Sequence, residues 1–128
     1  MADISTFDYK FDQIDRRTKK VTPALIAAIT DRIVHFLQPR QVILFGSQAT
    51  RRAGVGSDID LLICLDDYHP LAKKRRSERV GAVLDLFRYR SFGLDVIVLT
   101  QREIHKLQAT NEGEWDLVLQ IVVILKVP

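Results

Sequence analysis

With a single cysteine, Cys64, the chain has no internal disulfide, and its three histidines, His35, His69 and His105, show no spacing suited to zinc or to catalysis. Cys64 lies in an apolar run, which favours a buried structural thiol over a reactive one. Long hydrophobic runs are also missing. The most apolar stretch, Leu117 to Val127, is interrupted by Gln120 and Lys126 and is too short to cross a bilayer. The N-terminal Met-Ala-Asp-Ile has neither the basic start nor the apolar stretch of a secretory signal, so no membrane association and a cytoplasmic location are expected. There is no internal repeat and no low-complexity segment. No Gly-Lys-Ser/Thr completes a Walker loop, and Ile59 stands where a dinucleotide fingerprint beginning at Gly54-x-Gly56 would place its third glycine.

What is present describes an ordinary folded domain. Of 128 residues, 47% are hydrophobic and 27% charged, which excludes disordered and collagen-like classes and leaves room for one core. The net charge of +3 suits an anionic ligand without requiring nucleic acid. Between Tyr68 and Arg90 seven basic residues (Lys73, Lys74, Arg75, Arg76, Arg79, Arg88, Arg90) face two acids, Glu78 and Asp85. Such a patch meets phosphates, nucleic acid or an acidic protein face, or is simply a solvated helix surface; for most of these residues the last is the expected case.

Residues 1–21 form either a short helix, with Phe7, Phe11 and Ile14 at helical spacing, or a mobile arm; residues 22–128 form the domain. Thr22-Pro23 is a helix start, a hydroxyl cap before proline at the first helical position. Ile26, Ile29, Ile33 and Phe36 or Leu37 mark its buried face, and Gln38-Pro39 ends it. Val42 to Phe45 reads as a strand buried on both faces and closed by Gly46. A polar loop follows, with a helical turn near Gln48 to Arg52. Asp58 to Leu65 is a second strand, and Val80, Val83, Leu84 and Phe87 mark a helix face after Pro70. Lys73 and Arg76 continue that line on a helical projection, where they turn toward an anion or snorkel to water, the latter being the safer reading. Leu94 to Leu99 is a third strand. Thr100 caps a last helix, with Glu103 completing a capping box. Asn111 to Gly113 interrupts it, Trp115 to Gln120 looks helical, and Val122 to Leu125 finishes as an edge strand. The class is α/β: a small mixed sheet flanked by helices.

The chemistry concentrates in three acids. Asp58 and Asp60, one residue apart on a strand, point to one face. Their charges repel, and a divalent cation offsets that directly, since hard Mg²⁺ takes carboxylates together with substrate phosphates. Asp95 adds a third carboxylate to a strand otherwise apolar, where charges are rare unless paired or ligating. Any one of these could be a solvated strand end accepting turn hydrogen bonds. All three at the mouths of apolar strands favour a metal site. Gly46-Ser47, directly after the first strand, admits a close anion, and Ser47 offers a hydroxyl; alone this pair is weak.

Together, Phe-Gly46-Ser47, ten residues, and Asp58-Ile-Asp60-Leu-Leu-Ile resemble the signature of the DNA polymerase beta-like nucleotidyltransferase superfamily, with Asp95 in Gly-Leu-Asp-Val-Ile-Val matching its third acid. The resemblance runs from about Thr22 to near the C-terminus. In size and order the chain is similar to the minimal nucleotidyltransferase (MNT) group, which includes antitoxins paired with HEPN-domain toxins. The resemblance implies that Asp58, Asp60 and Asp95 hold Mg²⁺ in a two-metal site, Asp95 also helping to activate a hydroxyl, and that Gly46 and Ser47 hold the triphosphate of ATP. It implies transfer of AMP to a hydroxyl, for instance on a HEPN-type partner. The alternative is an antitoxin or assembly subunit that neutralises its partner by contact alone, with Trp115 to Leu125 as interface or as core. Transfer to a small molecule such as an aminoglycoside is less favoured, because those enzymes usually carry a further domain. Members of the superfamily often have arginine after Gly-Ser; Gln48 stands there, and Arg51 or Arg52 either contact phosphates instead or lie on the surface. Oligomeric state is left open.

Overall fold

The structure, a computed structural model, describes residues 20–50, 58–110 and 123–126. The expected N-terminal arm, the glycine loop with Arg51 and Arg52, and the helix expected at Trp115 to Gln120 lie outside the described residues. The first described helix, α1 (Pro23–Leu37), starts as its sequence dictates: Thr22 Oγ1 accepts from Leu25 N–H at 3.1 Å, and proline occupies the first turn. It ends at Gln38, whose left-handed backbone (φ 50) directs its N–H to Val34 O. The buried face is Leu25, Ile29 and Ile33. Each contributes about 1.5–3 kcal/mol on burial, which fixes a helix that would be marginal alone. Phe36, a candidate for that face, instead stands 38% exposed beside the Arg32 guanidinium, 5.0 Å from its ring centroid.

Four strands form one sheet in the order β3-β2-β1-β4: β1 (Gln41–Phe45), β2 (Ile59–Leu65), β3 (Leu94–Thr100) and β4 (Val123–Lys126). β1 runs antiparallel to β2 and β4, while β2 and β3 are parallel. The mixed α/β sheet is therefore as expected, and β4 is the edge strand anticipated near Val122 to Leu125. A short helix, α2 (Ser47–Thr50), follows β1. The crossover from β2 to β3 holds a 3-10 turn at Pro70–Lys73, helix α3 (Arg76–Leu84) and a second 3-10 turn at Asp85–Phe87. Helix α4 (Gln101–Thr110) follows β3 directly.

Side-chain alternation divides the sheet. One face carries Val42, Leu44, Ile59, Leu61, Ile63, Leu94 and Val96 into the main core under α1 and α3. The other carries Ile43, Leu62 and Leu99 against Ile104 and Leu107 of α4. On that second face α4 continues from the C-terminal end of β3 and packs on Leu62 and Leu99, and the N-terminal ends of β2 and β3 carry the acids. Cys64 is buried, as expected of a structural thiol, and burial pushes it above its ordinary range.

The basic patch resolves into two kinds of residue. Lys73 and Arg76 are exposed, consistent with snorkelling, although Lys73 belongs to a 3-10 turn and not to the helix that Arg76 begins. Arg79 is only 3% exposed. Its guanidinium donates to Glu103 Oε1 at 2.6 Å and Oε2 at 3.3 Å, to Leu71 O and Ala72 O at 2.9 Å, and to Val98 O at 3.2 Å. A buried arginine is tolerable only when its donors are satisfied in this way. It locks the crossover, β3 and α4 together. His69 makes a smaller clamp: Nδ1 accepts from Leu71 N–H at 3.0 Å, which leaves Nε2 to donate to Leu37 O at 2.6 Å.

Candidate active site

Strand pairing brings the acids together. Asp60 is in register with Asp95 on the neighbouring parallel strand and with Phe45 on the antiparallel one. Registered partners share a sheet face, so the Asp60 and Asp95 carboxyls are side by side, and the Gly46-Ser47 turn after Phe45 lies at the same end. Asp58 is exposed, immediately before β2; the next residue, Ile59, donates its N–H to Gly93 O at 2.9 Å. Gly93 precedes Asp95 by two residues and therefore shares its face. The space a Cβ would fill at Gly93 is taken by the Asp58 carboxylate. All three acids thus face the same way at one end of the sheet.

Gly46 has two reasons to be glycine. Its φ is +74, a left-handed conformation that costs other L-residues about 1–2 kcal/mol, and a Cβ there would overlap the Asp60 carboxylate. Its carbonyl accepts from Ala49 N–H at 3.1 Å, turning the chain into α2. Gly93, which carried no assigned role in the sequence, does for Asp58 what Gly46 does for Asp60. A glycine two residues before a strand acid was the available signal.

The electrostatics follow from this crowding. Burial pushes the Asp60 carboxyl above its ordinary value, and the charges of Asp95 and Asp58, with a hydrogen bond shared with the Asp95 carboxyl, push it further in the same direction. Among the described residues no cationic side chain offsets these charges. Among the described residues, no three His, Cys, Asp or Glu side chains close into a set that would hold a metal ion unaided. The donor chemistry nonetheless fits Mg²⁺, which characteristically takes one or two carboxylates and completes its shell with phosphate oxygens and water.

The remaining candidates divide between this end of the sheet and the rest of the fold. Ser47 opens α2 beside the acids. His35, His69 and His105 sit on α1, in the crossover and on α4, away from the acid end. Among the described residues no helix is long and apolar enough to cross a membrane.

No curated protein matches the chain significantly in sequence. A solved structure from Sulfolobus solfataricus, provisionally named a nucleotidyltransferase, is similar with a TM-score of 0.52 at 20% identity, over 97% of this chain and 89% of that one. At that identity the likeness concerns the fold. The family model described as nucleotidyltransferase domain matches residues 26–126, which include Gly46, Ser47, Asp58, Asp60, Gly93 and Asp95. The chain belongs to the nucleotidyltransferase domain family.

Proposed function

We propose that this nucleotidyltransferase moves AMP from ATP to a hydroxyl on a partner protein of HEPN type, with Mg²⁺ at Asp58, Asp60 and Asp95. The observation that supports it best is the placement of three carboxylates on one face beside a glycine turn, two of them against glycines where a side chain would displace them. A fold retains such repulsion at some cost in stability, and cation binding relieves it.

In this reading the acceptor hydroxyl oxygen attacks the α-phosphorus in line. The P–O bond to the β-phosphate breaks, pyrophosphate leaves, and Asp95 receives the hydroxyl proton. The Gly46-Ser47 turn holds the triphosphate through backbone N–H groups and the Ser47 hydroxyl, while Asp58 and Asp60 would hold the Mg²⁺ that offsets its charge. Mg²⁺, when bound by these carboxylates, supplies positive charge against the phosphates. The remaining work is positioning, which in related chemistry accounts for most of the rate.

Label transfer tests it. Purified chain, Mg²⁺, α-labelled ATP and a HEPN-type partner should yield a labelled partner, and Asp58→Ala with Asp60→Ala should abolish the label. Nucleotide binding without any transfer would reject the protein acceptor. A double variant that still neutralises the partner fully would favour action by contact alone.

A further inference from the structure

The turn between α3 and β3 reads Arg88-Tyr89-Arg90-Ser91, and the catalytic assignment uses none of it. Three independent features single it out. Tyr89 is 90% exposed although aromatic, and its backbone is left-handed with φ 64. A bulky residue in that conformation is strained, and such strain persists where the surroundings or a function hold it. Arg90 is half-buried, and its Nε is a buried polar atom with no hydrogen-bond partner among the described residues. Its Nη1 reaches only Phe87 O, at a weak 3.5 Å. An unsatisfied buried donor costs about 1–3 kcal/mol, so this guanidinium gives up little when it turns outward to an anion.

The turn leads straight into the acid site. Phe92 is buried and anchors it, and Gly93 lies against the Asp58 carboxylate. From Gly93 back to Arg90 is no more than about 10 Å of extended chain. Arg88 reaches only the exposed Asp85, at 3.7 Å. The other basic cluster, Lys73 to Arg76, precedes Arg79, which bonds near the opposite end of β3 at Val98. Among the described residues, the positive charge nearest the acids along the chain is therefore this turn.

We propose that Arg88-Tyr89-Arg90 is a nucleoside-phosphate binding element, Arg90 turning outward to meet a phosphate oxygen with its guanidinium and Tyr89 stacking on a base. It rests on the nucleotidyl-transfer reading and adds the residues that hold the substrate. A guanidinium edge pairs well with a phosphate oxygen, and an exposed ring offers a sequence-tolerant stacking surface. The phosphate belongs either to the donor triphosphate or to a phosphate-bearing acceptor.

Calorimetry on the full chain with Mg²⁺ separates these sources, using a non-hydrolysable ATP analogue, inorganic tripolyphosphate and a short single-stranded oligonucleotide. Arg90→Gln should weaken at least one probe about tenfold, the loss of a charge-assisted hydrogen bond, with an unchanged or higher melting temperature. Loss for tripolyphosphate and the analogue assigns Arg90 to the donor; loss for the oligonucleotide alone assigns it to the acceptor. Tyr89→Asn, which tolerates the left-handed backbone, should weaken the two base-bearing probes and leave tripolyphosphate unchanged. Arg90→Gln binding all three probes as the wild type does would overturn the assignment alone. A wild-type chain that binds none of them overturns both it and the transferase reading.

Discussion

Asp60 lies beside two other carboxylates on an apolar sheet, and among the described residues no group holds its carboxyl down. Replacing its charge should therefore separate stability from function. Asp60→Asn is expected to raise unfolding stability in urea by on the order of 1 kcal/mol while lowering transfer at least about a hundredfold. A variant that is both less stable and fully active would show Asp60 to be structural. Gly93→Ala makes the complementary test. Its Cβ collides with the flexible end of Asp58, which can move aside, and Gly93 is not among the residues with positive φ. Stability should change by less than about 1 kcal/mol, whereas displacement of Asp58 by an ångström should cost about a hundredfold in rate. The acids were legible in the sequence because a charge inside an apolar run must be offset by a partner or a ligand, and no basic residue stands near them in those runs. Gly93 was not, because a loop glycine reveals its close neighbour only once the strands are paired. Arg79 was hidden in a run of surface-like basic residues; its partner, Glu103, lies 24 positions away.

Among the elements, those set by local rules could be read directly. Thr22 caps α1, and at α4 Thr100 Oγ1 accepts from Glu103 N–H at 3.2 Å while Glu103 Oε1 accepts from Thr100 N–H at 2.9 Å, as the capping box requires. The 3-10 turns and the exposed Phe36 were not legible, since tertiary packing decides them. Glu103 unites both levels, for it caps α4 and neutralises Arg79. Burial pushes its carboxyl upward, but hydrogen bonds from Arg79 and Thr100 and the charges of Arg79 and Arg76 outweigh that and hold it below its ordinary 4.5. A carboxylate with a lowered folded-state pKa stabilises the fold fully above its unfolded value. That contribution disappears as pH falls through the lower, folded value. Glu103→Gln should keep the cap acceptor yet leave Arg79 charged and unpaired. We expect a loss of about 2 kcal/mol at pH 7, discounted from a fully buried pair because Glu103 is 28% exposed, and a shallower decline in stability below pH 4.5. Chemical denaturation across pH 3 to 7 measures both; parallel wild-type and variant profiles would deny the Glu103 carboxylate its role.

For the whole molecule, strand order is what converts scattered acids into a site. The hydrophobic pattern indicated a mixed sheet, but not that β2 lies between an antiparallel and a parallel neighbour, with Asp60 opposite both Phe45 and Asp95. Pairings between strands this far apart in sequence are fixed by packing on both faces, which no single segment encodes. Because the acids gather only in the folded state, any ligand that satisfies them must stabilise the entire domain. At a hundred times its dissociation constant, a non-hydrolysable ATP analogue with Mg²⁺ should add about 2.7 kcal/mol, a melting shift on the order of 10 °C for a domain of this size. Asp60→Asn should begin from a higher melting temperature and show little of that shift, so the two curves should approach each other as ligand is added. Equal shifts in both proteins would mean that the nucleotide binds away from the acids, and the site would have to be sought elsewhere on the sheet.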